Sequence, residues 1–329
     1  MRKLLIIAPS FAPNQGGVES HLKNIIPLLI EDYDVTVICR YSNSIPRSQN
    51  FNGVSVIRLP KSSIGIRLWS IFYSSWLRKF DAIHTHDFFP MPIYKRASKT
   101  SRWIHTFHGY EGFPLNEKAV NSRRQINNLV DSTIGVGKFI EKWYGTKCDE
   151  WIYGGVEIKS LPQKKKPVWD IVFYGRLEPD TGVKTYLESL NLLAQKNNPK
   201  LLVVGSGSLK NELQDYSDKH DLGVEFKDFS DNVLQDVASS RVAFVSGYLA
   251  IIESAAIGLN IISVFDTPIK KDYLEMHPMS GHFDICSSFQ EVADSYNKIK
   301  DNRVDAHFQT WAKNQTWEKI VKLYLKYYE

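Results

Sequence analysis

Short apolar runs rich in Val and Ile alternate with stretches of helical periodicity along the whole chain. In the first half, the runs that predict strands are "KLLIIAP", "DVTVIC", "VSVIRL", "AIHTH", "RWIHTF", "STIGVG" and "EWIY". In the second half they are "DIVFYG", "KLLVVG", "VEFKDF", "VAFVS" and "NIISV". Between them, segments such as "VESHLKNIIPLLIE" and "VKTYLESLNLLAQK" repeat their apolar residues at the helical period. This alternation predicts α/β units built on parallel sheets.

The alternation occurs twice, and a Pro- and Lys-rich stretch without apolar period separates the two copies. We therefore predict a first doubly wound domain over 1–158, a linker over 159–170 and a second doubly wound domain over 171–312. The chain length of 329 residues fits two domains. The amphipathic end, 313–329, is expected to form a helix that caps the second domain or crosses back to the first. Ligands in such sheets bind outside the carboxyl ends of the strands, in a cleft that we expect the two domains to face.

Composition narrows the cellular setting. Hydrophobic residues make up 43% of the chain, and no apolar run reaches the roughly 18 residues that a membrane-spanning helix needs. The three cysteines, Cys39, Cys148 and Cys286, are scattered and form no CxxC pair. Such usage favours a reducing cytoplasm over a disulfide scaffold or a zinc site.

Charge is distributed unevenly between the two halves. Residues 1–167 hold 24 Lys and Arg against 13 Asp and Glu, whereas 168–329 hold 17 against 23. The basic half is expected to attract an anionic lipid surface or a phosphate-bearing acceptor. Nucleic acid is a poor partner, because the second half is acidic and no aromatic-basic motif is present.

Candidate chemistry in the first half follows its strands. Gly16 and Gly17 precede a helix, and such a turn lets backbone N–H groups approach a phosphate. His84 and His86 share one face of a strand, so a metal-dependent hydrolase is a rival interpretation. We favour the interpretation that these histidines line the cleft over the interpretation that they bind a metal, because no second cluster in the sequence supplies the remaining carboxylate or cysteine ligands. His108 follows the next strand, and Gly109 would let a substrate approach the backbone.

In the second half, Arg176 follows a strand and a glycine, and Lys184 lies in the helix after it. A guanidinium matches phosphate oxygens, although Arg176 could equally form a surface ion pair with Glu178 or Asp180. The "VVGSGSL" turn at Gly205 and the aromatic Phe229 are weaker candidates for contacts with a nucleoside.

The ordered set "GGVESH", "DAIHTHDF", "HTFHG", "GRLEPDTG", "VVGSGSL", "VEFKDFSD" and "SGYLAIIESAAIG" resembles the retaining GT4 family of glycosyltransferases over nearly the whole chain. The resemblance implies the GT-B fold, in which two Rossmann-like domains face each other across a cleft. It also implies transfer of a sugar from a nucleotide-sugar, UDP- or GDP-linked, to a glycan or lipid-linked hydroxyl acceptor. The donor would be a co-substrate, and neither a cofactor nor a metal is expected.

The resemblance also implies roles for individual residues. Catalysis would involve His108 beside the reacting sugar, Arg176 on the diphosphate and Glu253 on the ribose. The donor would be bound by Gly16, Gly17, Arg176, Lys184, Gly205, Phe229, Ser246, Gly247, Tyr248, Leu249 and Glu253. The acceptor side would be formed by His86, His108, Gly109 and Tyr110.

Three positions depart from the family pattern. The family has a Glu-x7-Glu motif whose second acid is matched by Glu253, and Val245 stands at the position of its first acid. Thr181 stands where the family has a basic partner of Arg176, and Gly154 stands where the family usually has an Asn. The change at Val245 puts direct recognition of the donor sugar by a carboxylate in doubt. The change at Thr181 removes one of the two cations that the family pattern places on the diphosphate. Ser246 or Tyr248 is expected to replace the missing acid, and Lys184 the missing base.

The mechanism implied is a front-face displacement in which the departing diphosphate helps to deprotonate the acceptor. A double displacement would need two carboxylates about 5 Å apart, and no such pair is evident. The alternatives are an epimerase or hydrolase of nucleotide-sugars on the same fold, a non-catalytic subunit, and the metallohydrolase.

The acceptor is expected to be lipid-linked, and the protein is expected to be cytoplasmic and to bind the inner face of a membrane peripherally through its basic first domain. The segment 64–80, "IGIRLWSIFYSSWLRKF", is apolar nearly all round with basic residues at its ends. It could dip into a membrane interface, but we expect it to pack against the sheet. Further basic surface is expected from Lys95, Arg96, Lys99, Arg102, Arg123 and Arg124.

Overall fold

The computed structural model describes residues 1–14, 16–40, 46–60, 62–97, 101–195, 198–230, 232–302 and 304–329. Lys99, one of the basic residues named above, lies outside them. The chain forms two compact units. Unit 1 comprises Met1–Ile152 and Trp317–Glu329, and unit 2 comprises Tyr153–Thr316.

The unit boundaries differ from the predicted domain limits. The stretch 159–170 belongs to unit 2, because its backbone is hydrogen-bonded to that unit. The N–H of Lys165 donates to the Ala238 carbonyl (2.9 Å), and the N–H of Val168 donates to the Ser239 carbonyl (2.8 Å). A composition typical of linkers therefore does not mark the division, which falls after Ile152.

Unit 1 is built on a sheet of eight strands with the order β3-β4-β2-β1-β5-β6-β7-β8. All neighbouring strands are parallel except β3, which runs antiparallel to β4 at the edge. The strands are β1 (Arg2–Ile7), β2 (Tyr33–Arg40), β3 (Ser48–Phe51), β4 (Val54–Leu59), β5 (Ala82–His86), β6 (Arg102–Phe107), β7 (Ser132–Val136) and β8 (Glu150–Ile152). The helices are α1 (Gly17–Leu29), α2 (Ser63–Phe72), α3 (Ser74–Leu77), α4 (Met91–Ala97), α5 (Glu117–Asn127), α6 (Phe139–Tyr144) and the C-terminal α14 (Trp317–Tyr328).

Unit 2 is built on a parallel sheet of six strands with the order β11-β10-β9-β12-β13-β14. The strands are β9 (Trp169–Tyr174), β10 (Leu201–Val204), β11 (Val224–Lys227), β12 (Ser240–Phe244), β13 (Asn260–Val264) and β14 (Asp284–Cys286). The helices are α7 (Val183–Ala194), α8 (Lys210–Lys219), α9 (Val233–Ala238), α10 (Tyr248–Ile257), α11 (Pro268–Glu275), α12 (Phe289–Ile299) and α13 (Ala306–Lys313). Both units are thus α/β with parallel sheets, as the alternating pattern predicts.

Two kinds of helix start bear on ligand binding. Several are capped by a side chain that accepts a first-turn N–H, and the capping residues are Ser62, Asn116, Thr267, Ser288 and Asp305. By contrast, α1, α7 and α10 begin at Gly16, Gly182 and Gly247, which have no side chain to accept those N–H groups. These glycine starts leave backbone donors open to another partner.

The C-terminal helix α14 packs on unit 1, against α1 and β6. Its buried face carries Trp317, Ile320, Val321, Tyr324 and Tyr328. Two of these tyrosines also make buried hydrogen bonds. The Tyr324 hydroxyl lies 2.9 Å from His21 Nε2, and the Tyr328 hydroxyl lies 2.7 Å from His84 Nδ1. The helix is therefore held by polar contacts in addition to its apolar face.

The apolar segment 64–80 was expected to be buried against the sheet, but much of it is exposed. It forms α2 and the short α3, and only Ile66, Ser70, Leu77 and Phe80 are buried along it. Ile64 is 71% exposed and Phe72 is 77% exposed. α2 packs on α4 and β4 through one face, so its other apolar face remains in contact with solvent.

Within the described ranges, no helix combines the length and the apolar character needed to cross a membrane.

Tyr328→Phe is expected to destabilise unit 1. The substitution leaves the buried Nδ1 of His84 without its partner, which costs about 1–3 kcal/mol of unfolding free energy. Chemical denaturation measures this difference. Tyr327→Phe, on a more exposed side chain of the same helix, serves as the control. Equal stability of Tyr328→Phe and the wild type would show that the hydrogen bond does not secure α14.

Candidate functional site

The sheet of unit 2 reverses its direction of growth at β9. From β9 the chain proceeds to β10 and β11 on one side, and then returns to place β12 on the other side. The loops after β9 and β12 therefore diverge, and they open a crevice at the carboxyl edge of the sheet. Arg176 follows β9, and Ser246 and Gly247 follow β12, so the sequence-predicted donor residues flank this crevice.

Arg176 is exposed and forms an ion pair with Asp180 at 2.7 Å. This is the surface pair that the sequence left open as an alternative. Exposed pairs contribute little to stability, so the guanidinium can exchange Asp180 for an incoming anion at small cost. Lys184, expected to assist, pairs instead with Glu212 at 2.6 Å. The Thr181 hydroxyl donates to the Glu178 carbonyl within its own turn (2.7 Å).

The first turn of α10 offers backbone donors to the same crevice. The N–H of Tyr248 is already taken, because it donates to the Tyr273 hydroxyl at 2.7 Å. The N–H groups of Leu249 and Ala250 lie in the first turn, where an α-helix has no acceptor of its own for them. With the helix dipole they favour an anion, so Gly247 and Leu249 stay candidates for phosphate contact through the backbone.

Neither side chain expected to replace the missing first acid is free to do so. The Ser246 hydroxyl is buried between the Tyr186 hydroxyl (2.7 Å) and the Val264 N–H (2.9 Å). The ring of Tyr248 stacks on that of Tyr273 at 3.8 Å, and its hydroxyl donates to the Tyr273 carbonyl. Both side chains therefore fix the start of α10 and do not point a polar group at a ligand.

Glu253 lies one and a half turns into α10 and is only partly exposed. Burial raises the pKa of its carboxyl from 4.5 to about 8, and a hydrogen bond with Tyr174 opposes this. Near neutral pH the group is mostly protonated. A protonated carboxyl both donates and accepts, which suits the paired hydroxyls of a ribose.

Two weaker donor candidates are placed differently. A Cβ atom on Gly205 would lie 1.9 Å from the Gly175 carbonyl oxygen, so this glycine allows the loops after β10 and β9 to pack closely. Its role in the structure is therefore backbone packing. Phe229 follows the edge strand β11 and is exposed.

Lys270 is a buried cation that the sequence pattern did not indicate as a site residue. It lies in the first turn of α11, after β13, and its Nζ donates to the Ser246 carbonyl at 2.6 Å. The available signal was its spacing, since Lys270 and Leu274 share the buried face of α11. A lysine at a buried helical position invites a functional explanation.

Unit 1 has its own reversal, between β1 and β5. Gly16 and Gly17 lie after β1 at the start of α1, whose N-terminus has no side-chain cap. A Cβ atom on Gly17 would meet nothing within 4 Å, so the backbone there is open. His86 ends β5, and His108 follows β6 at the same edge.

Histidines of unit 1 form a buried cluster that includes one residue the sequence analysis did not select. His21, from α1, lies beside His86 and His108, with ring centroids 5.6 and 4.9 Å away. His86 Nδ1 and His108 Nε2 share a hydrogen bond of 2.8 Å. Burial lowers the pKa of His21 and His86, and it lowers that of His108 to about 3. The cluster is therefore uncharged at neutral pH.

A second buried network sets the backbone around His108. The Asp87 carboxylate accepts the His108 N–H at 3.1 Å. Arg123 pairs with Glu111 at 2.9 Å, lies 3.8 Å from Asp87 and donates to the Gly109 carbonyl at 2.6 Å. Burial raises the pKa of Asp87 to about 6, against the opposing charge of Arg123.

This network corrects the expectation for Arg123, which is buried and adds nothing to the basic surface. The acceptor-side candidates His108 and Gly109 are held by it. Tyr110 lies nearby, with its ring 5.9 Å from that of Phe139.

The metal-dependent hydrolase interpretation requires His84 and His86 to bind one metal ion, but the nitrogens of His84 are not free for this. Both of its ring nitrogens are hydrogen-bonded, to Tyr328 and to Thr106 (2.8 Å). Among the described residues, the group that could hold a metal is His21, His86 and His108, with ligand atoms within 4.8 Å of one another. Nitrogens on one tetrahedral zinc lie about 3.3 Å apart. The 2.8 Å contact between His86 Nδ1 and His108 Nε2 is instead a hydrogen bond, so these two nitrogens do not share a metal ion in this geometry.

The raised pKa of Glu253 makes stability depend on pH. The folded state keeps a proton that the unfolded state releases above about pH 4.5, so this residue costs stability increasingly as pH rises from 4.5 to 8. Glu253→Gln cannot titrate, and we expect its melting temperature to rise relative to the wild type across that range. One proton changes the free energy by at most about 1.4 kcal/mol per pH unit, and partial exposure reduces this.

Thermal melts at pH 5, 6, 7 and 8 measure the trend. Glu275→Gln, an exposed acid on α11, is the matched control and should show no such trend. A difference between Glu253→Gln and wild type that stays constant from pH 5 to 8 would contradict the shifted pKa.

Comparison with known families accounts for both units. Residues 15–159 match the profile of Glycosyltransferase Family 4, and residues 157–316 match that of Glycosyl transferases group 1. YtcC of Bacillus subtilis, named as a putative glycosyltransferase, is 24% identical over an alignment of 223 residues, and the match covers 60% of this chain and 54% of YtcC. The uncharacterized glycosyltransferase MJ1069 of Methanocaldococcus jannaschii is 28% identical over an alignment of 259 residues, and the match covers 63% of this chain and 64% of MJ1069. The chain thus spans less than two thirds of the length of these two relatives.

A solved structure with a similar fold is that of HepE from Anabaena in complex with UDP-glucose. It superposes with a TM-score of 0.76 at 15% identity and covers 99% of both chains. At this identity the likeness concerns the fold, which is GT-B with two parallel-sheet α/β units. The two matched profiles together cover residues 15–316. The chain therefore belongs to the group 1 glycosyltransferases of the family 4 type.

Proposed function

We propose that the protein transfers a sugar, with retention, from a nucleotide-sugar to a hydroxyl acceptor, as a hexosyltransferase. The observation that carries the proposal is the combination at the unit 2 crevice of an exchangeable cation, Arg176, with the uncapped first turn of α10. A diphosphate needs both an opposite charge and N–H donors. The family membership supports the same activity.

The donor is proposed to be UDP-linked, with a GDP-linked sugar as the second candidate. HepE binds UDP-glucose, and its fold covers nearly all of this chain. Glu253 stands three quarters of a turn beyond Ala250 on α10, where a ribose attached to the diphosphate would be reached. Its mostly protonated carboxyl supports contact with ribose hydroxyls and argues against a role as nucleophile.

The proposed reaction is a front-face displacement without a resident metal. The acceptor hydroxyl attacks the sugar, and the departing diphosphate takes up its proton. Arg176 and the backbone donors of α10 would stabilise the charge that develops on the leaving group. In unit 1, the uncharged His108 would orient the acceptor or the reacting sugar through hydrogen bonds, with His86, Gly109 and Tyr110 beside it.

Turnover tests the role of Arg176. Thermal-shift screening of UDP-, GDP- and ADP-sugars first identifies the donor, because a bound ligand raises the melting temperature. Arg176→Ala should then lower kcat/KM at least about a hundredfold, through lost charge stabilisation. Arg241→Ala is the matched control, since Arg241 is exposed near the amino end of β12. Unchanged turnover in Arg176→Ala would contradict the assignment.

Product analysis separates the other functions. The anomeric configuration of the product, read by NMR, tests retention. Release or rearrangement of the sugar without acceptor would indicate a hydrolase or epimerase. Nucleotide-sugar binding with no turnover would indicate a non-catalytic subunit, as Val245 and Thr181 suggest.

The acceptor is proposed to be lipid-linked or a growing glycan, reached at an anionic cytoplasmic leaflet. The supporting observation is the exposed apolar face of α2, which carries Ile64, Leu68, Ile71 and Phe72. Arg67, Arg78 and Lys79 are exposed along the same segment, and no acid occurs between residues 63 and 80. An apolar face flanked by cations fits the interface of an anionic bilayer.

Vesicle binding tests the membrane proposal. The wild type should sediment with phosphatidylglycerol vesicles at low salt and be released at about 1 M salt, where charges are screened within about 3 Å. The double variant Leu68→Ser/Phe72→Ser should bind at least tenfold less. Phe289→Ser, which removes an exposed aromatic ring from unit 2, is the control. Absence of wild-type binding at low salt, or equal binding by the double variant, would overturn the proposal.

A further inference from the structure

Lys270 occupies a position where a lysine is costly. The residue is only 7% exposed, and it lies in the first turn of α11, where the helix dipole is unfavourable to a cation. β13, which precedes α11, neighbours β12 in the sheet. The starts of α10 and α11 therefore lie side by side at the carboxyl edge.

The contacts of Lys270 fix its ammonium at the start of α10. Its Nζ donates to the Ser246 carbonyl at 2.6 Å and lies 4.4 Å from the centre of the Tyr273 ring. The hydroxyl of Tyr273 also receives the Tyr248 N–H. An ammonium has three N–H groups, and the described residues supply an acceptor for one.

The charges around Lys270 are incompletely balanced. Among the described residues, no carboxylate lies within ion-pair distance of Nζ. Asp180 and Asp266 act on it from farther away, and Arg176 acts against them. Burial lowers the pKa of Lys270 to about 8; Asp180 and Asp266 oppose this shift and Arg176 adds to it, and the lysine stays mostly protonated at neutral pH. Two cations, Arg176 and Lys270, thus stand near enough to repel each other, and an anion bound between them would relieve both.

We propose that Lys270 is the second cation of the donor-diphosphate site and supplies the charge that Thr181 cannot. This rests on the proposed function, because it requires a nucleoside diphosphate group in the crevice of unit 2. The two remaining N–H groups of Lys270 bind phosphate oxygens, while Arg176 exchanges Asp180 for the same group. When the bond between sugar and diphosphate breaks, both cations stabilise the charge left on the diphosphate.

Ligand affinities test the proposal. Calorimetry gives the Kd of UDP and of GDP, and saturation-transfer NMR gives that of uridine and guanosine. Lys270→Gln removes the charge but keeps a donor toward the Ser246 carbonyl, and Lys270→Met removes both. Each variant should bind the diphosphate about ten- to a hundredfold more weakly, with nucleoside binding unchanged. Lys271→Met is the matched control, because Lys271 is the exposed neighbour.

The outcomes separate this proposal from the proposed function. If the wild type binds a diphosphate and both variants bind it equally well, Lys270 is not part of the site, and the transferase proposal stands. If the variants lose diphosphate and nucleoside equally, or lose melting temperature in proportion, Lys270 is structural and the proposal is overturned. If the wild type binds neither diphosphate, both proposals fail together.

Discussion

A parallel sheet delivers every loop that follows a strand to the same edge, and this constraint places the chemistry of both units. In unit 2 it brings the segments after β9, β12 and β13 to one edge, although they are far apart in sequence. Arg176, the start of α10 and Lys270 lie at this edge, and the reversal at β9 directs the loops after β9 and β12 to opposite sides. In unit 1 the same rule brings the start of α1 to the histidines after β5 and β6.

The two edges differ in how their charge is balanced. In unit 1, burial keeps the histidines neutral, and Arg123, the buried cation that holds the backbone around His108, has Glu111 and Asp87 as partners. In unit 2, Arg176 holds an exchangeable surface carboxylate and Lys270 holds none. An unbalanced buried charge is expensive unless a ligand completes it. Diphosphate chemistry therefore fits unit 2, and hydrogen-bonding chemistry that orients a neutral hydroxyl fits unit 1.

The alternating apolar pattern predicted most strands, because buried parallel strands have a strong local signal. It missed β3 and β14, which are short edge strands with few apolar residues. The boundary after Ile152 was not predictable, since it depends on partners distant in sequence. For Lys270, its spacing with Leu274 was a local hint of burial, but its contact with the Ser246 carbonyl depends on a partner distant in sequence. The exposed face of α2 was mispredicted for a related reason: an apolar helix shows which residues can be buried, whereas the neighbouring elements decide which ones are. The glycine starts of α1 and α10 were visible in the sequence because glycine before a helix is itself the signal.

The loss of the first acid at Val245 concerns recognition of the sugar more than the reaction itself. A carboxylate there would be an acceptor for hydroxyls of the donor sugar, whereas bond cleavage depends on the charge that the leaving diphosphate acquires. Val245 is buried, and the hydroxyl of the next residue, Ser246, is occupied by Tyr186 and the Val264 N–H. No side chain of this turn therefore takes over the acceptor role. Under the proposed function, recognition of the sugar depends on backbone groups and on residues outside the turn, while Arg176 and Lys270 would supply the positive charge on which the leaving group depends.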